Sequence, residues 1–155
     1  MANTARDRDA AGRTLAQTFC LFVGLTLVAV GVLGFIFGGS GFGAGSNVNG
    51  EDFIIFEVNG WHNLVHIASG AFLLLGVRDG RTAATVATAF GIVYALVTVW
   101  GLIDGNTIFN LLPVNAADNI LHLVLTAAAL GVGLSAGGLM ASRGADARGG
   151  ATRAA

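Results

Sequence analysis

Long apolar runs, separated by short polar or glycine-rich segments, dominate the chain. Four runs reach the roughly 20 mostly apolar residues that a helix needs to cross a membrane. They cover residues 15–38, 59–77, 82–103 and 115–140. The pattern therefore predicts an all-α fold, a four-helix transmembrane bundle.

The segments outside these runs predict tails and turns. Residues 1–14 are expected to form an N-terminal tail, and residues 143–155, rich in Ala, Gly and Arg, a disordered C-terminal tail. Residues 38–50 are rich in Gly, Ser and Asn and predict a loop, while residues 78–81 read Arg-Asp-Gly-Arg and predict a tight turn. The chain is thus expected to hold one membrane domain, residues 15–142.

Composition and charge agree with this picture and predict an orientation. Only 11% of the residues are charged and the mean hydropathy is +0.74, whereas a soluble domain has about 25% charged residues. All basic residues fall on one side of the bundle: Arg6, Arg8, Arg13, Arg78, Arg81, Arg143, Arg148 and Arg153. The opposite loops hold only acidic charges: Glu51, Asp52, Glu57 and Asp104. The positive-inside rule then predicts that both termini are cytoplasmic. The chain has no basic patch, so no nucleic-acid partner is expected.

The chain also repeats itself. Residues 53–67 align without gaps to residues 109–123, sharing the frame V-N-x-x-[HD]-N-[IL]-[LV]-H-[IL]. Gly24 and Gly34 correspond more faintly to Gly91 and Gly101. Each copy holds two spans and inserts the same way round. The pattern predicts two parallel-repeat helical hairpins, related by a pseudo-twofold axis along the membrane normal.

Polar side chains recur at the same spacing in the second and fourth spans. The positions i, i+3, i+4 and i+7 share one helix face, and here they are Asn59, His62, Asn63 and His66, and then Asn115, Asp118, Asn119 and His122. Such residues are costly in lipid, so they are expected to point into the bundle near its outer end. If the faces meet, His62, His66, Asp118 and His122 suit a transition metal such as zinc or iron, with the asparagines as supporting partners.

Three other interpretations fit the same residues. His66 and His122 are repeat mates and form a symmetric pair that could ligate a b-type haem. The histidines could instead relay protons or sense pH. In a structural interpretation Asn59 and Asn115 are N-caps, Asn115 and Asp118 form a capping box, and the remaining polar groups are interhelical hydrogen bonds.

The sequence favours a non-enzymatic role. It contains no nucleophile–base pair and no phosphate-binding glycine loop. Three hypotheses follow: a membrane protein with a structural Asn/His/Asp network, a metal- or haem-binding redox or sensor protein, and an oligomeric transporter or channel component. The expected partners are the lipid bilayer and either a second copy or another membrane subunit.

Two segments resemble a known family. Residues 56–66, FEVNGWHNLVH, resemble the signature of the actinobacterial membrane proteins grouped as domain of unknown function 4383. Residues 113–122, PVNAADNILH, are similar to its second motif, and the run GVLGF at residues 31–35 fits as well. The resemblance covers residues 15–139. It implies four spans in a bacterial plasma membrane and no established activity.

Overall fold

Across the part of the chain that the structure describes, the backbone of residues 12–153 and the side chains of residues 12–136, four long helices form a bundle. In this computed structural model they are α1 (Leu15–Phe37), α2 (Gly60–Leu74, continued by a 3-10 turn at Leu75–Val77), α3 (Gly80–Asp104) and α4 (Ala116–Arg153). The predicted all-α four-helix fold is confirmed.

Each helix is long and apolar enough to cross a membrane. The mean hydropathy of their best windows ranges from 1.2 to 2.6, and in α4 the span is Ala116–Ala136. Only 28–39% of each window is buried inside the bundle, so the helices present large apolar surfaces outward. Ile103, for example, is 81% exposed. Such surfaces need lipid around them, and the protein is therefore a multi-pass membrane protein.

The last helix continues beyond its predicted span. Residues 143–153, for which the sequence predicts a disordered tail, prolong α4 as helix. Ala and Arg, which favour helix, make up six of these eleven residues and outnumber the three glycines, which disfavour it. Most of the predicted N-terminal tail, residues 1–11, lies outside the described residues, as do residues 154–155.

Local signals explain where the helices begin. Thr14 and Gln17 form a capping box at the start of α1, each side chain bonded to the other's backbone N–H. The Asp79 carboxylate accepts hydrogen bonds from the backbone N–H groups of Arg81 and Thr82 and starts α3. These caps satisfy N–H groups that the first turn of a helix leaves free.

The helices pack mainly as consecutive pairs, α1 on α2 and α3 on α4. Small residues bring their backbones close: a Cβ added at Gly24 would lie 3.0 Å from the carbonyl oxygen of Gly70. On the other pair, Gly133 lies against Thr88. An apolar core between the pairs includes Cys20, which is fully buried. This packing leaves the polar faces of α2 and α4 to meet inside the bundle.

Among the residues that the structure describes, two short β-hairpins cover one end of the bundle. They pair β1 (Glu51–Phe53) with β2 (Phe56–Val58), and β3 (Thr107–Ile108) with β4 (Leu112–Pro113). The sequence does not indicate these hairpins, since neither tip carries the Asn-Gly or Asp-Gly pair that is typical of short hairpin turns. The first tip instead places Ile54, a β-branched residue, at φ 64°, which is a strained backbone position. The hairpins hold backbone groups directly over the polar faces.

Candidate functional site

Three imidazoles converge below the hairpins. His62 and His66 come from α2 and His122 from α4, and one nitrogen atom of each lies within 4.8 Å of one nitrogen of each other ring. The ring centroids of His62 and His66 are 4.5 Å apart, and those of His62 and His122 are 6.1 Å apart. All three side chains are buried, with 2–6% of their surface exposed. The structure therefore brings together three of the four predicted metal ligands.

Two backbone carbonyls orient His62. Its Nδ1 lies 3.0 Å from the carbonyl oxygen of Glu57 and 3.0 Å from that of Pro113. A carbonyl oxygen only accepts, so Nδ1 carries the proton and Nε2 keeps the free lone pair. A histidine that donates its other N–H to a carbonyl is the usual arrangement of a metal ligand.

The other two histidines have free polar atoms. Nδ1 of His66 and Nδ1 of His122 are buried and have no hydrogen-bond partner among the described residues. A buried polar group without a partner costs about 1–3 kcal/mol. Two such nitrogens beside a third imidazole make a set of lone pairs and N–H groups that a ligand could satisfy.

Asp118, the fourth predicted ligand, lies outside this group of three. Its Oδ2 accepts hydrogen bonds from the backbone N–H of Asn115, at 2.9 Å, and of Glu57, at 3.0 Å. The first bond is the capping-box bond of α4, and the second joins α4 to the first hairpin. Asp118 is 2% exposed, so its negative charge is held inside the bundle, near the histidines.

Asn59 and Asn115 link the two halves of the chain reciprocally. Each Oδ1 caps its own helix, accepting from the backbone N–H of His62 and Asp118 respectively. Each Nδ2 donates to the opposite hairpin: Asn59 to the carbonyl of Leu111 at 2.8 Å, and Asn115 to the carbonyl of Ile55 at 2.9 Å. The two residues are therefore caps and cross-links at once.

Asn63 and Asn119 hold each helix pair together. Asn63 donates to the carbonyl of Gly39 at 2.8 Å, and Asn119 to that of Gly101 at 3.3 Å. A Cβ at Gly34 would overlap Oδ1 of Asn63, and a Cβ at Gly101 would overlap Oδ1 of Asn119. These amides thus pack against glycines of the neighbouring helix and do not reach the histidine cluster.

Glu57 places another acidic group at this end of the bundle. Partial burial raises the pKa of its carboxyl above the ordinary value of 4.5, and the charges of Asp118 and Asp52 raise it further. The backbone N–H of Gly50 opposes the shift. The side chain lies outside the spans, on the strand whose backbone contacts both His62 and Asp118.

An apolar cavity of about 200 Å³ adjoins the cluster. His66, His122 and Asp118 contribute to its wall, and the remaining wall comes from α1, α4 and the first hairpin. A smaller cavity of about 40 Å³ lies on the other side of the histidines, beside Tyr94. The imidazoles therefore separate two spaces inside the bundle.

Sequence reasoning missed some partners of the site. Tyr94 of α3 meets His122 edge-on, with ring centroids 5.4 Å apart. The carbonyls of Glu57 and Pro113 fix His62. Tyr94 stands three residues after Gly91 and four before Thr98, so it shares a helix face with these small residues. This placement could have indicated a position inside the bundle. The carbonyls leave no signal in the side-chain pattern.

Comparison with known proteins identifies a family. The model of the family described as "Domain of unknown function (DUF4383)" matches residues 17–135, most of the chain. No curated protein and no solved structure matches the chain. The match includes every residue of the histidine cluster.

Proposed function

We propose that this chain, which belongs to the DUF4383 family of unknown function, binds one transition-metal ion inside the membrane through His62, His66 and His122. The observation that carries the proposal is the approach of three buried imidazoles to within 4.8 Å. Imidazole nitrogen is a preferred ligand of zinc, copper, iron and nickel.

The distances suit a site that closes slightly on its ion. With Zn–N bonds of about 2.1 Å in a tetrahedron, three imidazole nitrogens would lie about 3.4 Å apart. Each ring would then need to move inward by less than about 1 Å. Three protein ligands leave one position open, which is the pattern of metal sites that bind a further molecule.

Charge and hydrogen bonding support the same assignment. A divalent cation inside a membrane needs a nearby negative charge, and the buried carboxylate of Asp118 supplies one. The carbonyls of Glu57 and Pro113 hold His62 in the tautomer whose Nε2 can coordinate. The asparagines act as the structural part of the network.

The cavity favours a metal ion over the b-type haem that His66 and His122 could hold. A porphyrin is a wide, flat macrocycle, and the space next to these histidines measures about 200 Å³. A single ion needs none of this space. The haem and transporter interpretations remain predictions from the sequence.

Metal analysis of the purified protein tests the proposal. The protein in detergent is loaded with Zn²⁺ or Co²⁺, desalted and analysed, and we expect about one ion per chain, with a visible absorption band for Co²⁺. Replacing His62, His66 or His122 with Gln should weaken binding at least about tenfold, the loss seen when ligand support is removed. Thr126→Val, which removes a buried hydroxyl one turn beyond His122 that faces Thr98 and is not one of the three converging side chains, should retain the ion.

Two outcomes would count against the metal site. One is a wild type that retains no more metal than the triple Gln variant. The other is a melting temperature that Zn²⁺ raises equally in both proteins, since an ion bound to the folded state stabilises it through that site. A Soret band in the purified protein would favour the haem alternative instead.

We also propose the finer architecture and location. The two helical pairs, α1 with α2 and α3 with α4, are parallel copies of each other. The paired contacts of Asn63 with Gly34 and of Asn119 with Gly101 support this. The distribution of arginines supports a bacterial plasma membrane protein with cytoplasmic termini. With this orientation, the two β-hairpins and the histidine cluster lie toward the outer face of the membrane.

A further inference from the structure

The cavity beside His66 and His122 has the features of a ligand chamber reached from the bilayer. It lies between α1 and α4, which pack against other helices more than against each other. Phe22, on its rim, is 66% exposed, and Thr26 is exposed as well. The chamber therefore meets the lipid-facing surface, so a molecule dissolved in the membrane can reach it.

The walls select an uncharged molecule. Apart from Thr26, His66, Asp118 and His122, the lining is apolar, and it includes the aromatic side chains of Phe22, Phe53 and Phe56. Ionic metabolites would lose their hydration without compensation. The buried carboxylate of Asp118 further disfavours an anionic head group such as that of a fatty acid.

The size of the chamber indicates a single ring. A cavity of about 150 Å³ in a protein interior is enough to hold benzene. The 200 Å³ present here accommodates a six-membered ring with small substituents, and the aromatic wall can stack on it. A hydrocarbon tail attached to such a ring would pass Phe22 and enter the lipid.

The polar end of the chamber supplies hydrogen-bond donors. Each neutral imidazole carries one N–H, and the imidazoles of His66 and His122, which line the chamber, make no hydrogen bond among residues 12–136. An ion would take one nitrogen of each ring, and the other nitrogen would then carry the proton. Carbonyl oxygens on a ring would accept these protons.

We propose that this chamber binds the oxygenated ring of a lipid-soluble quinone, with the ring carbonyls at His66 and His122 and the tail passing Phe22 into the bilayer. The site goes beyond the proposed metal centre and does not depend on it.

Quinone retention in lipid nanodiscs tests the proposal. The protein is loaded with a benzoquinone that carries a short isoprenoid tail, and bound quinone is counted against empty nanodiscs. We expect about one quinone per chain. Leu121→Trp, which fills the chamber from α4, should weaken retention about tenfold or more, since an overfilled site expels its ligand. Leu123→Trp, on the lipid-facing side of the same helix, should bind as the wild type does.

Two further measurements keep the result decisive. Val30→Phe fills the chamber from α1 and replaces Leu121→Trp if that variant fails to fold. A hydrocarbon with the same tail and an oxygen-free ring should not compete with the quinone. Equal competition would show an unspecific apolar space and overturn the proposal, as would wild-type retention no higher than in empty nanodiscs or unchanged retention in the chamber-filling variant.

The metal content of the same samples separates the two proposals. Quinone bound by protein that retains no metal overturns only the metal centre. Metal bound by protein that retains no quinone overturns only the quinone site.

Discussion

Asn59 and Asn115 each cap one helix and donate a hydrogen bond to the hairpin of the other half, to Leu111 and Ile55 respectively. In both amides, the oxygen accepts a hydrogen bond within its own half of the chain and the nitrogen donates one to the other half. The exchange fixes α2 and α4 beside each other at the end of the bundle where the histidines lie. Its contribution to stability is measurable.

We expect Asn59→Ala and Asn115→Ala each to lower the free energy of unfolding by about 1–2 kcal/mol, because each removes a helix cap of about 1 kcal/mol and an interhelical hydrogen bond of about 0.6 kcal/mol. Unfolding of the purified protein in mixed micelles by added SDS measures the change. The matched control is Asn106→Ala, since the Asn106 side chain is exposed and makes no hydrogen bond among the described residues. A variant at residue 59 or 115 as stable as this control would contradict the prediction.

We expect Gly34→Ala and Gly101→Ala to destabilise the protein by about 1–3 kcal/mol, the usual cost of overfilling a packed interior. The new methyl group would overlap Oδ1 of Asn63 or of Asn119. Gly131→Ala is the control, since a Cβ there meets nothing within 4 Å. The same SDS titration compares them, and equal stability of all three variants would argue against the close packing.

The raised pKa of Glu57 predicts a pH dependence. Folding favours the protonated carboxyl, so this stabilisation is complete below the ordinary pKa of 4.5 and is lost as the pH rises through the higher folded value. Glu57→Gln should therefore melt at a higher temperature than the wild type at pH 7 and at a similar temperature at pH 4. A gap in melting temperature that does not widen between these pH values would oppose this.

Asp79 should show the opposite sign. The hydroxyl and backbone N–H of Thr82 lower the pKa of its carboxyl, so its stabilisation is present above the ordinary pKa of 3.8 and is lost as the pH falls through the lower folded value. We expect Asp79→Asn to melt below the wild type at pH 7, with a smaller difference near pH 3. Melting curves at the two pH values measure both variants side by side.

The proposed orientation can be tested with a matched pair of cysteines. Gly12 and Gly41 are both exposed, and a Cβ at either meets nothing within 4 Å. A membrane-impermeant thiol reagent should label Gly41→Cys in intact cells and Gly12→Cys only after the membrane is opened. The wild type serves as the blank because its one thiol, Cys20, is buried. The reverse labelling pattern would overturn the orientation.

The sequence predicts the helices well because length and hydropathy decide them. Thr14 and Asp79 stand where α1 and α3 begin, and both are strong caps. The β-hairpins could not be predicted, because the pattern of side chains does not indicate a tip in which Ile54 has a φ of 64°. Tertiary contacts to the helices below, such as those of Glu57, hold that conformation in place.

The candidate site, too, could be predicted only in part. The spacing of His62, His66 and His122 places them on inward faces, and the structure brings them together. The role of Asp118 depends on the backbone N–H of Glu57, which lies 61 residues away. Such a partner is a main-chain atom that every residue except proline carries, so no pattern of residue types identifies it.

The crossed hydrogen bonds have a consequence for biosynthesis. The first hairpin leaves the ribosome with the carbonyl of Ile55 and the N–H of Glu57 still waiting for Asn115 and Asp118. Insertion of the first two helices therefore cannot complete the contacts of the first hairpin, which form only when α4 has entered the membrane. A nascent chain that stalls before residue 115 would hold the first hairpin without these two partners, so the hairpin can reach its final contacts only after α4 is made.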